Sequence, residues 1–267
     1  MPVVIKSSTE VAAMREAGRI NAEVRAILRE AVRVGVSGLE LDELAKREIA
    51  RRDAVPTFVG YGPGGRPPYP GAICYSVNEE LVHGIPNDRR LEDGDIVSID
   101  LGVTYRGWVS DAAFTAAVGD VTEEVQRLLE TTERAMWAGI DAARAGAFLG
   151  DVSFAIGDAA QGYGIVRDYG GHGVGRQMHE EPHVYNFGRK GTGPRLKPGM
   201  VLALEPMLAL GAPDTEELDD HWTVRMVDQS LCAHFEETIA VTEGEAEVLT
   251  RIDESVAALV GATGQDR

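Results

Sequence analysis

Acidic residues interrupt the most apolar, strand-like stretches of this chain, and that pattern restricts its folds more than any other feature. Asp100 stands in DIVSIDLGV, Glu205 in GMVLALEPM and Glu236 in SLCAHFEETIAV. An isolated ionised carboxylate inside a core is expensive unless it is paired or coordinates a metal. Three such interruptions call for a common cation.

Strand geometry places two of the acidic residues relative to each other. Segments 96–103 and 109–118 read as strands, and Tyr105-Arg106-Gly107-Trp108 reads as a two-residue hairpin turn between them. With Tyr105 facing Trp108, Leu101 faces Ala112 and Asp100 faces Ala113, so Asp111 falls on the same side of the sheet as Asp100 and diagonal to it. A diagonal pair lies about 7–8 Å apart at the backbone, within reach of one metal cluster. The hairpin taken alone also fits a solvent-facing acidic pair.

Histidines supply the matching nitrogen ligands. His172 sits among glycines in Gly170–Gly175, where backbone can approach a ligand closely, and His179 follows in Met178-His179-Glu180-Glu181-Pro182. His83 lies in Leu81-Val82-His83-Gly84-Ile85-Pro86. The glycine run does not match a dinucleotide fingerprint, and no G-x-x-x-x-G-K-[ST] phosphate loop occurs. A Ser-His-Asp hydrolase lacks its G-x-S-x-G elbow, and a Cys-His reading rests only on the chance placement of Cys74. Oxygen and imidazole donors without thiolate suit Mn, Fe, Co or Zn better than a structural zinc. His83, Asp100, Asp111, His172, His179, Glu205 and Glu236 together read as a two-metal hydrolase.

Organisation along the chain fits an α/β (α+β) enzyme of two similar halves, about 8–118 and 122–250. Residues 8–33 read as a helix opened by a Ser7/Glu10 capping box, with Val11, Met14, Ala17, Val24, Ile27, Leu28 and Ala31 on its apolar face. A second helix is expected at 39–52, then strands carrying Phe58 and Ile73 ahead of the Asp100 hairpin. The second half repeats the order with helices at 122–144 and 150–161, then glycine-broken strands carrying His172, Glu205 and Glu236. Gly35 and Gly146 occupy corresponding places. The Gly60–Gly71 stretch is a candidate wall of the site, 214–220 reads as a solvated acidic loop, and 261–267 as a frayed tail. With 267 residues, 44% of them hydrophobic, the chain can bury a sizeable core as one catalytic domain. A net charge of −17 argues against nucleic acid as an electrostatic ligand. Cys74 and Cys232 make no disulfide framework, and no signal peptide or long apolar span opens the chain, so a cytoplasmic monomer without membrane attachment is expected.

The stretches ICYSVNEELVHGIP, SIDLGVTYRGWVSD, GGHGVGRQMHEEP, VLALEPM and HWTVRMVDQSLCAHFEETIAVT, in this order and spacing, resemble bacterial type I methionine aminopeptidases of the pita-bread metallopeptidase family. The likeness runs from about residue 5 to residue 250. It implies two pseudo-repeated halves with a curved antiparallel sheet covered by helices. It also implies two divalent ions, Asp100 chelating the first, His172 and Glu205 binding the second, Asp111 and Glu236 bridging them. Such a pair of ions, roughly 3.5–4 Å apart, acidifies a water and polarises a scissile carbonyl. Glu205 is the choice for handling the proton of that water, with His179 at the carbonyl oxygen or the tetrahedral intermediate and His83 at the scissile amide nitrogen or the leaving amine.

The implied substrates are nascent chains and peptides beginning with Met, with ribosome association. The chain's own start, Met1-Pro2-Val3, is expected to be such a substrate. Cys74, Tyr61, Tyr69, Met178 and Trp222 are the soft or aromatic residues expected around a thioether side chain. Glu237, Met178 and Val82 depart from the residues common in the family, which bears on pocket shape and on tuning of the ligands. The rival readings are an Xaa-Pro aminopeptidase or prolidase, which shares the metal set but carries a further N-terminal domain, and a non-catalytic pita-bread binding protein, which characteristically loses ligands.

Overall fold

Capping chemistry sets the helices. In the computed structural model, which describes residues 2–251, helix α1 spans Ser8–Ala31. Ser7 Oγ accepts from the Glu10 N–H at 3.3 Å and Glu10 Oε2 accepts from the Ser7 N–H at 2.8 Å, which satisfies amide groups that a helix start leaves without partners. Ser7→Ala removes one side of this box. It is expected to cost about 1 kcal/mol, read as a lower urea midpoint at unchanged slope. The same box recurs at Ser37 and Glu40, and starts α2 (Gly38–Ala50) one residue ahead of expectation. Thr122 caps α3 (Glu123–Ala142) through the Val125 N–H, and Asp151 accepts from the Phe148 N–H at the start of α4 (Leu149–Ala159). The expected tail at 261–267 lies outside the described residues.

The buried stripe of α1 is centred slightly differently from the expected one. Met14, Ala17, Val24 and Leu28 are buried as read, joined by Ile20 and Asn21, while Val11, Ile27 and Ala31 are only half-buried. Asn21 tolerates burial because its side-chain N–H donates to Leu101 O at 2.7 Å.

The first half continues with β1 (Val55–Pro56), β2 (Cys74–Val77), β3 (Ile96–Tyr105) and β4 (Trp108–Ala117). The hairpin register is the one read from the sequence, with Tyr105 opposite Trp108, Asp100 opposite Ala113 and Gly102 opposite Asp111. Arg106 (φ 49°) and Gly107 (φ 75°) both adopt the left-handed conformation that a tight turn of this hand demands. Phe58 and Ile73, expected in strands, lie outside them. Asp42 Oδ1 captures the Ala72 and Ile73 N–H groups at 2.6 and 3.3 Å, so the ladder begins only at Cys74.

The second half holds β5 (Gly164–Ile165), β6 (Gly171–Gly173), β7 (Glu180–Val184), β8 (Val201–Leu204), β9 (Met207–Ala209), β10 (Thr215–Glu217), β11 (Val224–Met226), β12 (Cys232–His234), β13 (Glu237–Ala240) and β14 (Glu247–Val248). Hydrogen bonding divides the antiparallel strands into four sheets: β1, β2 and β4 around β3; β14-β13-β8-β6-β7; β12-β9-β5; and β10-β11. The first two are joined through an isolated bridge between Ala113 and Glu236. The acidic segment at 214–220, expected as a loop, forms part of the β10–β11 hairpin, where Glu216 stands opposite Arg225 and pairs with it at 2.8 Å.

Corresponding glycine turns bracket both halves. The Gly35 N–H donates to Leu91 O and the Leu91 N–H to Val36 O, while the Gly146 N–H donates to Leu196 O and the Leu196 N–H to Ala147 O, all at 2.8 to 2.9 Å. Arg90 and Arg195 each donate a guanidinium N–H to the glycine carbonyl of their own half. Leu91, Gly94 and Asp100 have the same spacing as Leu196, Gly199 and Glu205, and both Gly94 and Gly199 take positive φ. The two turns therefore deliver one acidic residue from each half to the same depth of the fold.

Candidate metal centre

Five backbone segments converge on one buried polar cluster. β3 carries Asp100, β4 carries Asp111 and β6 carries His172 opposite Ala203 of β8. Glu205 directly follows β8, and Glu236 fills the break between β12 and β13. Both were expected inside strands, but both sit where the ladder stops. Pro206 offers no N–H to extend β8, and the Glu236 backbone turns instead to Ala113, with Ala113 N–H to Glu236 O at 3.2 Å and Glu236 N–H to Ala113 O at 3.0 Å. Thr238 ties the same edge, donating to Asp111 O at 2.7 Å and accepting from its N–H at 3.1 Å.

One donor atom from each of Asp111, His172 and Glu236 lies within 4.8 Å of the others. Asp100 and Glu205 flank this group, and His172 Nε2 is 3.6 Å from Glu205 Oε1 and 3.7 Å from Asp111 Oδ2. The His172 Nδ1 is 2.9 Å from Gly173 O, so it carries the ring proton and leaves the Nε2 lone pair facing the carboxylates. Burial drops the His172 pKa to about 3, so the ring is neutral. Burial also raises Asp100, Asp111, Glu205 and Glu236, and neighbouring carboxylates push Asp100, Glu205 and Glu236 further up. Asp100 Oδ1, Asp111 Oδ1 and Glu236 Oε1 are buried without any hydrogen-bond partner. A lone pair and several anionic oxygens aimed at one another, with orphaned acceptors among them, form a repulsive arrangement that divalent cations resolve. The donor set fits such ions, and protons are what binding would displace.

A pocket opens onto this cluster. Every residue expected at the site lines it: His83, Asp100, Asp111, His172, His179, Glu205 and Glu236, together with Tyr61, Tyr69, Cys74, Met178 and Trp222. His179 sits with its ring centroid 4.4 Å from that of His172, and its Nδ1 is 2.7 Å from the Tyr61 hydroxyl. His83 stands edge-on to Tyr169 at 5.9 Å and to Trp222 at 6.0 Å, its backbone at φ 61°. Burial lowers the pKa of both imidazoles, His83 to about 4. The Gly60–Gly71 stretch supplies Tyr61 and Tyr69, and its Pro67 O accepts from Trp222 Nε1 at 3.0 Å. Arg66 fastens the stretch to the β10–β11 hairpin through Glu217 at 2.5 Å and the His221 carbonyl at 2.8 Å.

Residues 12–243 match metallopeptidase family M24. The chain belongs to that family. Methionine aminopeptidase 1 of Bacillus subtilis is 46% identical over 252 residues, which span 94% of this chain and 100% of the relative. A methionine aminopeptidase of Clostridium acetobutylicum is 43% identical, covering 93% and 98% of the two chains. Crystal structures of methionine aminopeptidase from Rickettsia prowazekii (TM-score 0.89, 40% identity, 93% of this chain and 100% of that one) and Thermotoga maritima (0.90, 39%, 94% and 100%) share the architecture. A prolidase from Pyrococcus furiosus shares the fold at 23% identity and TM-score 0.72, but this chain spans only 66% of it.

Within this M24 metallopeptidase the departures noted in the sequence have different fates. Val82 and Met178 line the pocket. Glu237 does not. It pairs with Arg25 at 2.7 Å and accepts from Thr250, tying α1 to the end of the second half. Sequence reasoning missed Phe58, Asp168, Tyr169, His183 and Met207 in the pocket wall. It also passed over His234, whose Nε2 lies 3.4 Å from Glu205 Oε2. The signal for His234 was available, because it precedes Glu236 by two residues and so points to the same side of an extended chain.

Proposed function

We propose that this M24 metallopeptidase is a methionine aminopeptidase that removes the initiator Met from nascent proteins whose second residue is small. The observation that carries the reading is a pocket of Cys74, Met178, Tyr61, Tyr69 and Trp222 leading directly to the carboxylate and imidazole cluster, in a chain with full-length likeness to methionine aminopeptidases. Xaa-Pro peptidases share the fold, yet the prolidase extends well beyond the part this chain covers. A non-catalytic binding role is disfavoured by the complete donor set.

Asp100, Asp111, His172, Glu205 and Glu236 would hold two divalent ions of the Mn, Fe, Co or Zn class. Bound there, such ions acidify a water and polarise the scissile carbonyl. The protein's part is to orient and to move protons. Glu205, raised by burial, is the carboxylate that takes the proton of the attacking water. Tyr61 donating to His179 Nδ1 leaves the ring proton on Nε2, where it stabilises the negative oxygen formed from the carbonyl. His83 holds the departing amide nitrogen from the opposite wall. Among the described residues no helix is long and apolar enough to cross a membrane.

Specificity is the test. Metal-reconstituted protein is expected to cut Met-Ala-Ser and peptides beginning Met-Ser, Met-Gly or Met-Pro, to spare those beginning Met-Lys, Met-Leu or Met-Phe, and to leave Ala-Pro peptides intact. A bulky second side chain pushes the scissile carbonyl off the cluster, and a misplacement of about 1 Å can cost 10²-fold. Comparable cleavage of Met-Ala and Met-Phe peptides by quantitative mass spectrometry overturns the specificity; preference for Ala-Pro overturns the assignment.

A further inference from the structure

Glu205 lies between two imidazoles, one on each oxygen. His172 Nε2 is 3.6 Å from Oε1, and His234 Nε2 is 3.4 Å from Oε2. The two rings differ in one respect. His172 has its other nitrogen at the Gly173 carbonyl, whereas neither nitrogen of His234 has a hydrogen-bond partner although its side chain is only 1% exposed. Buried polar rings are rarely left this way, and the acceptor facing this one is the far oxygen of Glu205.

The backbone of His234 is held from both sides. Its N–H donates to Thr115 Oγ1 at 2.8 Å, and Thr115 Oγ1 donates back to its carbonyl at 2.8 Å. Ser98 Oγ lies 2.8 Å from the same hydroxyl and, with the Thr115 proton already committed, is the donor there. Ser98 and Thr115 stand opposite each other on β3 and β4, on the side of the sheet that carries Asp100 and Asp111. The strands that set the carboxylate cluster thus also set the backbone from which this ring projects.

We propose that His234 is a positioning residue whose Nε2–H donates to Glu205 Oε2, stopping rotation of the carboxylate and keeping Oε1 turned toward His172 and the metal site. The inference rests on the metal-dependent reading of the cluster. A ligand whose outer oxygen is tethered presents one oxygen in one direction, and loss of such an outer hydrogen bond typically weakens metal binding 10- to 100-fold.

Two variants of nearly equal size separate hydrogen bonding from packing, since His234→Gln keeps an N–H donor and His234→Met has none. Titration of metal-free protein with Mn²⁺ by calorimetry should show affinity lowered about 10- to 100-fold in His234→Met and largely restored in His234→Gln. On Met-Ala-Ser with saturating Mn²⁺, kcat should fall in His234→Met with KM little changed. Equal behaviour of the two variants overturns the proposal, whether both match the wild type or both are weakened, because a shared loss reads as packing or direct ligation. Wild-type protein that binds Mn²⁺ without cleaving Met-Ala-Ser overturns the peptidase assignment alone.

Discussion

Asp111→Asn and Glu236→Gln are each expected to abolish peptide cleavage and to strip most of the bound metal. Both residues sit at the centre of the cluster, with donor atoms in the set that closes with His172 to within 4.8 Å. Each is buried, and each keeps an oxygen without a protein partner. A neutral amide cannot balance two cations, and it brings N–H donors into a site built from acceptors. The fold should survive. Each substitution keeps the size and shape of the side chain, so the thermal midpoint of the metal-free protein is expected to hold. Metal analysis alongside turnover checks this, and wild-type turnover in either variant at ordinary metal concentrations rejects the shared-ligand arrangement.

His179→Ala is expected to lose on the order of 10²-fold or more in turnover while keeping its metal, the usual scale for one donor to a developing oxyanion. The separation follows from geometry. The His179 ring lies 4.4 Å from that of His172, centroid to centroid and tilted against it, but its Nδ1 is engaged by the Tyr61 hydroxyl at 2.7 Å. Metal content falling in step with activity makes His179 a ligand and contradicts the role assigned to it.

Much of this site was legible before any coordinates because its signals are local. The Asp100 and Asp111 pair follows from a two-residue turn and the alternation of side chains along a strand, and the register came out as read. The α1 start follows from Ser7 and Glu10, which find each other within one turn. Less legible was anything decided by partners remote in sequence. Ile73 was denied a strand by Asp42, and the acidic segment after Asp214 found its hairpin partner in Val224–Met226, where Glu216 stands opposite Arg225. His234 carried a local signal in its place two residues before Glu236, but the carboxylate it faces, Glu205, comes from a segment remote in sequence.

The bridge from Ala113 to Glu236 carries a further consequence for how the protein is made. Asp111 and Ala113 direct their backbone groups to Thr238 and Glu236, which are synthesised long after β4. Until they arrive, the outer edge of β4 is an open row of donors and acceptors, the kind of edge on which strands of other molecules add. Burial is what raises the pKa of Asp100 and Asp111, so before it the two carboxylates would repel like copies of themselves across any such pairing. Substitutions that neutralise these two charges are therefore expected to lower the soluble yield of the protein on expression as well as its chemistry.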